Sequence, residues 1–199
     1  MSSKRKLRRR KPHRAYEIVY GPMQTPSDSL PSPEARAAMP NLHALVNEDP
    51  DAAVPELLAW IEREPLPMFF NWLSAAYGSI GDEAALEETV RENYRRNPRY
   101  LFARVNYAEL CLRNRDLAGA REALGESLDL QFLLGARKRV HISEAVGYLY
   151  AVALYQIEAG DSDAAAITYD TLRELAPDEP PTERLRRLLY PGFRDIFLR

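Results

Sequence analysis

Cysteine is nearly absent from this chain of 199 residues, where Cys111 stands alone. A single thiol forms no intrachain disulfide and supplies no cysteine metal cluster, so a reducing compartment, most simply the cytoplasm, is expected. Histidine is scarce as well, and His13, His43 and His141 fall far apart. Long apolar runs are missing. The longest one without a charge, AVGYLYAVALY from 145 to 155, is well short of the ~20 residues that cross a bilayer, so no membrane span is expected. The basic start leads into the mixed, proline-punctuated KPHRAYEIVYGPMQ, which lacks the apolar centre of a secretory signal. There is no G-x-x-x-x-G-K phosphate loop, no dinucleotide fingerprint and no nucleophile elbow. A non-enzyme is therefore expected, without cofactor, metal site or small-molecule substrate.

What the sequence does contain is 46% hydrophobic and 28% charged residues, enough for one filled core or one repeat array. The charge is unevenly placed. Lys4, Arg5, Lys6, Arg8, Arg9, Arg10, Lys11 and Arg14 all precede the first acid, Glu17. Beyond them, 19 basic residues face 29 acidic ones, so a basic arm (1–26) joins an acidic body. Within that arm Tyr16, Ile18 and Tyr20 alternate with Glu17 and Val19, which predicts a short strand.

Between Pro22 and Pro55 lie seven of the fifteen prolines, so 27–66 is expected to be a linker broken by capping helices. SPEARAAM is one, with Ser32 as N-cap and Pro33 in the first helical position. DAAVPELLAWIERE is a second, placing Leu57, Leu58 and Ile61 on one face beside Trp60.

From Pro67 onward a pattern recurs. Gly81-Asp82 and Arg115-Asp116 are 34 residues apart, and Gly160-Asp161 follows 45 later, an 11-residue insertion on the same period. Leu86, Ala120 and Ala165 repeat four positions on, and Val90, Leu124 and Tyr169 four beyond that. Pro98 and Pro177 close the first and third units, and Phe132 stands in the corresponding place of the second. Glycine ends a helix in the left-handed conformation, the following Asp caps the next helix, and small residues let the two helices approach.

A 34-residue helix-turn-helix period with these residues resembles the tetratricopeptide repeat family. The resemblance covers 67–179, as units 67–100, 101–134 and 146–179 with an insertion at 135–145. Cys111 and Gln156 depart from it where the first unit has Tyr77, and Leu86 is larger than usual at its place. It implies an all-α, right-handed superhelix of antiparallel helix pairs, preceded by the arm. A capping helix, PTERLRRLLYPGF, would follow within 180–199, with Thr182 as N-cap and Leu185, Leu188 and Leu189 inward. The tail RDIFLR is apolar enough to fold back.

In such arrays the first helix of each pair lines a concave groove for another protein's peptide or helix. That register puts Met68, Asn71 and Ala75 in the groove, then Phe102, Val105, Asn106 and Glu109, then Gly147, Tyr150 and Leu154. The chaperone-tail clamp of one subgroup is matched only at Asn106, so a mostly apolar, aromatic groove with a few asparagines is expected instead. His141-x-x-Glu144 reads as a helix start capped by Ser143, and Cys111 as a buried packing residue. Glu87, Glu88, Arg91, Glu92, Arg95 and Arg96 read as a solvated, ion-paired helix face. The expected function is a protein–protein interaction adaptor. The alternative is an RNA- or ribosome-associated factor anchored by the arm.

Overall fold

A computed structural model of the chain describes residues 16–21 and 30–191. The eight basic residues from Lys4 to Arg14, and the tail RDIFLR, lie outside the described residues. Ten helices are present among them. They are α1 (Pro33–Glu48), α2 (Pro50–Arg63), α3 (Pro67–Ile80), α4 (Glu83–Arg96), α5 (Leu101–Arg113), α6 (Leu117–Leu124), α7 (Leu130–Leu133), α8 (Ile142–Glu158), α9 (Ser162–Leu175) and α10 (Pro180–Leu189). Among the described residues the fold is all-helical apart from two three-residue strands, β1 (Glu17–Val19) and β2 (Arg139–His141). None of these helices is long and apolar enough to cross a membrane.

One turn design generates the recurring pairs of residues. The amide of Asp82 donates to the carbonyl of Tyr77, Asp116 to Cys111 and Asp161 to Gln156, at 3.0, 2.8 and 2.8 Å. These are the six-residue closures of a helix that ends in the left-handed conformation. Gly81 and Gly160 hold it at φ 79°, whereas Arg115 does so at φ 59° with a side chain attached. The carboxylate of each Asp then accepts the amide three residues on, from Ala85, Gly119 and Ala164 at 3.1, 2.9 and 3.0 Å. Ala120 and Ala165 are fully buried where the paired helices meet. Leu86 is accommodated by Gly78, where a Cβ would come within 3.1 Å of Leu86 Cδ1.

Helix packs on helix along the chain: α1 and α2 on α3, α3 on α4, α4 on α5, α5 on α6, then α5 and α6 on α8, α8 on α9, and α10 on α8 and α9. Leu57, Phe69 and Leu73 fill the core at one end; Val105, Leu124, Val140 and Tyr148 the middle; Leu172 and Leu185 the other end. Each core takes side chains from several helices, so no single pair buries its own apolar face.

Several expectations are corrected. In the proline-rich 27–66 stretch α2 follows the expected DAAVPELLAWIERE through Pro55, but α1 runs on through Pro40 to Glu48 where only SPEARAAM was expected. Burial of Leu42, Val46 and Leu57 against α3 offsets the backbone hydrogen bonds that proline forgoes. Ser32 does cap α1, with its hydroxyl 3.0 Å from the Ala35 amide, and it also donates to Glu64 at 2.6 Å. Leu58 is 46% exposed, although Leu57 beside it is buried. The second unit is cut short, because α6 ends at Leu124 before Gly125 at φ 84°. Phe132, expected to close that unit, is exposed.

Residues 135–145 contain β2 and the start of α8. Parallel pairing sets Ile18 opposite Val140, so the predicted strand is present and finds its partner in the insertion. The arm as drawn, 1–26, therefore contains a packed segment, since Tyr16 and Ile18 rest on the central core. The cap of α8 is His141, not Ser143: its ring accepts the Ser143 amide at 3.2 Å while Glu144 accepts the His141 amide at 3.0 Å. Thr182 does not cap α10. It is buried inside that helix and donates to the Ala176 carbonyl at 2.7 Å. Leu185 is inward as expected, whereas Leu188 is exposed.

Candidate functional site

Among the residues expected to line a binding groove, α3 and α5 bring four together, Asn71, Ala75, Asn106 and Glu109. Asn71 and Asn106 point at each other, and the Asn106 amide nitrogen donates to the Asn71 side-chain oxygen. With Glu109 one turn further along α5, they line a groove of about 440 Å³. Ser74 and Ala75 of α3, Leu86 and Val90 of α4, and Arg113 complete its walls. The Ser74 hydroxyl is occupied, donating to the Asn71 carbonyl at 2.9 Å.

The amide pair has a consequence for recognition. One bond between two primary amides leaves the Asn71 nitrogen as a donor and the Asn106 oxygen as an acceptor. Exchanging O and N in both side chains leaves the same pair of open groups. A peptide unit offers the complementary acceptor and donor.

Glu109 is the electrostatic centre of this face. Burial pushes its carboxyl up to about 7, and the cations of Arg113 and Arg184 oppose that rise. Arg113 is shared, lying 3.1 Å from the Glu83 carboxylate. Tyr150 of α8 feels the same charges: its hydroxyl is shifted upward by burial and then by Glu109, with Arg184 opposing. Tyr150 of α8 and Arg184 of α10 thus stand near the Glu109 charge, outside the lining of the groove that Asn71, Asn106 and Glu109 share. Sequence reasoning missed Arg184 because nothing local states that α10 packs on α8. The only signal was the inward Leu185, which fixes its neighbour near that seam.

The apolar part of the expected groove is placed differently. Val105 is 4% exposed and belongs to the central core. Met68 packs against the N-terminal core. Leu154 packs beside Cys111, Leu112 and Ala120. Phe102 is half-buried with its ring 5.7 Å from that of Tyr100. A Cβ on Gly147 would make an ordinary 3.8 Å contact with Val105, so this position faces α5. The helical period turns Val105 and Leu154 into the packing seams, so the groove is lined mainly by polar side chains.

Other chemistry-bearing residues are engaged structurally. Cys111 is buried and its thiol is shifted upward by burial, the reverse of an activated thiol. His43 packs on Trp72 with ring centroids 5.6 Å apart. Glu87 pairs with Arg91 at 3.2 Å, and Glu92 with Arg95 at 2.7 Å and with Arg96, as a solvated face does. No group of three metal-ligating side chains occurs among the described residues. Compared with family models, with curated proteins and with solved structures, the chain matches none.

Proposed function

We propose that the protein is a non-catalytic adaptor that holds a peptide or helix of another protein on the face formed by α3, α5, α8 and α10. In this reading α3–α4, α5–α6 and α8–α9 are tetratricopeptide-like repeats stacked as a right-handed superhelix. The α1–α2 pair caps one end, α10 caps the other, and the polar face is the concave one. The turn shared by Asp82, Asp116 and Asp161 supports the repeat reading. So does the packing of α3 on α5 and of α5 on α8, the first helices of successive pairs.

The observation that carries the function is the Asn71–Asn106 pair, with one amide donor and one acceptor left open beside Glu109. A groove built this way bonds main chain, which gives affinity for an extended segment with little demand on its sequence. Tyr150 and Arg184 add a ring and a cation at the far end.

The eight cations before Glu17 favour a second reading, an RNA or ribosome contact made by the arm. Affinity capture of the tagged full chain, with and without nuclease, separates the two. The adaptor reading expects protein partners that survive nuclease and are lost when Asn71, Asn106 and Tyr150 are replaced by Ala. Ribosomal proteins or RNA that vanish with nuclease, and with neutralisation of Arg8, Arg9 and Arg10, would overturn it in favour of the arm.

A further inference from the structure

A second, larger groove of about 790 Å³ lies on a different face, between α2 and α4 with α3 as its floor. Leu58 and Ile61 of α2, with Leu73 and Tyr77 of α3, face Ala84 and Ala85 of α4 across it. Elsewhere the protein closes the corresponding space with its own side chains. Over α5, Tyr94 of α4 stacks on Tyr107 at 4.3 Å, and Arg104 reaches the Glu122 and Ala123 carbonyls of α6 at 3.0 and 2.7 Å. Over α8, Arg121 of α6 reaches the Tyr155 hydroxyl at 3.4 Å. Between α2 and α4 the two alanines are too short to do this, and Leu58 remains 46% exposed.

The rim carries an acidic excess. Of its cations, Arg91 is held by Glu87 and Arg95 by Glu92, at 3.2 and 2.7 Å. Glu88 has no side-chain partner among the described residues. The Tyr77 hydroxyl at the floor is shifted upward by burial and then by the carboxylates of Asp82 and Glu88, the mark of a negative potential there.

The walls also decide what conformation fits. All three are helices whose amides and carbonyls are bonded internally, so an extended peptide would lay unpaired polar groups on an apolar floor. A helix satisfies its own backbone and presents only side chains. The α4 wall from Ala84 to Arg95 is about 16 Å long, which matches about three helical turns.

We propose that the groove between α2 and α4 receives an amphipathic helix of a partner protein. Its apolar side chains at i, i+3 or i+4 and i+7 seat over Leu58 and Tyr77, and its lysines or arginines meet Glu88. This site is independent of the polar face assigned above. It gives the adaptor two surfaces of different chemistry.

The test uses the full chain and three fluorescent helical peptides of about 16 residues. One has a leucine stripe with lysine flanks, one the same stripe with glutamate flanks, and one lysine flanks with the leucines scrambled. The expected result in fluorescence anisotropy at low salt is saturable binding of the first, with the other two at least about tenfold weaker. Leu58→Asp should weaken the first about tenfold or more, and Glu88→Lys should reverse the preference between flanks. Both changes are at exposed positions, and circular dichroism verifies the fold. A variant with Asn71 and Asn106 both replaced by Ala should bind all three peptides as the parent does, so the polar face can fail without this site failing. Three peptides binding alike, or binding indifferent to Leu58→Asp and Glu88→Lys, would overturn the proposal. Self-association in sedimentation that Leu58→Asp abolishes would also overturn it, by giving the groove to a second copy.

Discussion

Arg137, in the loop after α7, and Glu144, in the first turn of α8, form a two-point ion pair. One guanidinium nitrogen lies 2.8 Å from Oε1 and the other is bonded to Oε2. The Glu144 side chain is 2% exposed and also accepts the His141 amide, so one carboxylate closes the insertion and starts the helix. Replacing Glu144 by Ala removes both roles at once. We expect a loss of about 2–4 kcal/mol in urea unfolding, since charged hydrogen bonds and a cap disappear together. The adjoining strand pair should loosen too. The Glu17 amide, bonded to the Lys138 carbonyl at 2.8 Å, should exchange faster with solvent deuterium than in the parent.

Tyr148 secures the shortened second unit. Its buried hydroxyl donates to the Leu124 carbonyl at 2.8 Å, at the point where α6 stops. That carbonyl belongs to the last turn of a helix and has no intrahelical partner to fall back on. Tyr148→Phe keeps the ring and deletes only the bond, so a destabilisation of about 1–2 kcal/mol is expected in denaturant. An unchanged midpoint would show that the carbonyl finds another donor.

How much of this was legible in the sequence follows from which interactions are local. The Gly-Asp spacings were visible because each turn is built within six residues, from Tyr77 to Asp82 for instance. The strand at Ile18 was visible as alternation. Its partner Val140 was not, because parallel pairing across more than a hundred residues leaves no local trace. Helix α2 was legible in DAAVPELLAWIERE despite Pro55, whereas α1 was legible only as far as SPEARAAM, because Pro40 masks a continuation held by packing on α3 and not by propensity. At the candidate site, Asn71, Asn106 and Glu109 were found by register alone. Val105 and Leu154 were misplaced by the same register, because one residue of rotation moves a side chain from groove to seam. Arg184 needed the tertiary contact of α10 with α8.

Gly119 gives a case in which a usually favourable change should do harm. Glycine to alanine inside a helix gains up to about 1 kcal/mol in the open. Here an added Cβ would lie 2.3 Å from Asp116 Oδ2 and 2.9 Å from Cys111 Sγ. Asp116 is the N-cap of α6, so moving it aside forfeits the bond it accepts from the Gly119 amide at 2.9 Å. Gly119→Ala should therefore destabilise by about 1–3 kcal/mol. Made together with Cys111→Ala, it should cost less, because one of the two collisions is gone. Strict additivity in that double-mutant cycle would contradict the packing argument.

Glu109 makes stability depend on pH in a direction opposite to most carboxylates. Its ordinary value of 4.5 is raised to about 7 by burial, despite Arg113 on its own helix and Arg184 on α10, while Tyr150 faces it from α8. Between those two values the unfolded chain has released this proton and the folded chain still holds it. The folded state then binds more protons, so the contribution of Glu109 to stability falls as pH rises from about 4.5 to about 7. Glu109→Gln cannot ionise and lacks that slope. Parent and variant should unfold at similar urea concentrations near pH 4.5, and the variant should be the more stable of the two above pH 7. Thermal or urea unfolding at several pH values measures the gap. A gap that stays flat across this window, or one that widens toward acid, would mean that Glu109 is ionised in the folded protein and that Arg113 and Arg184 hold it so.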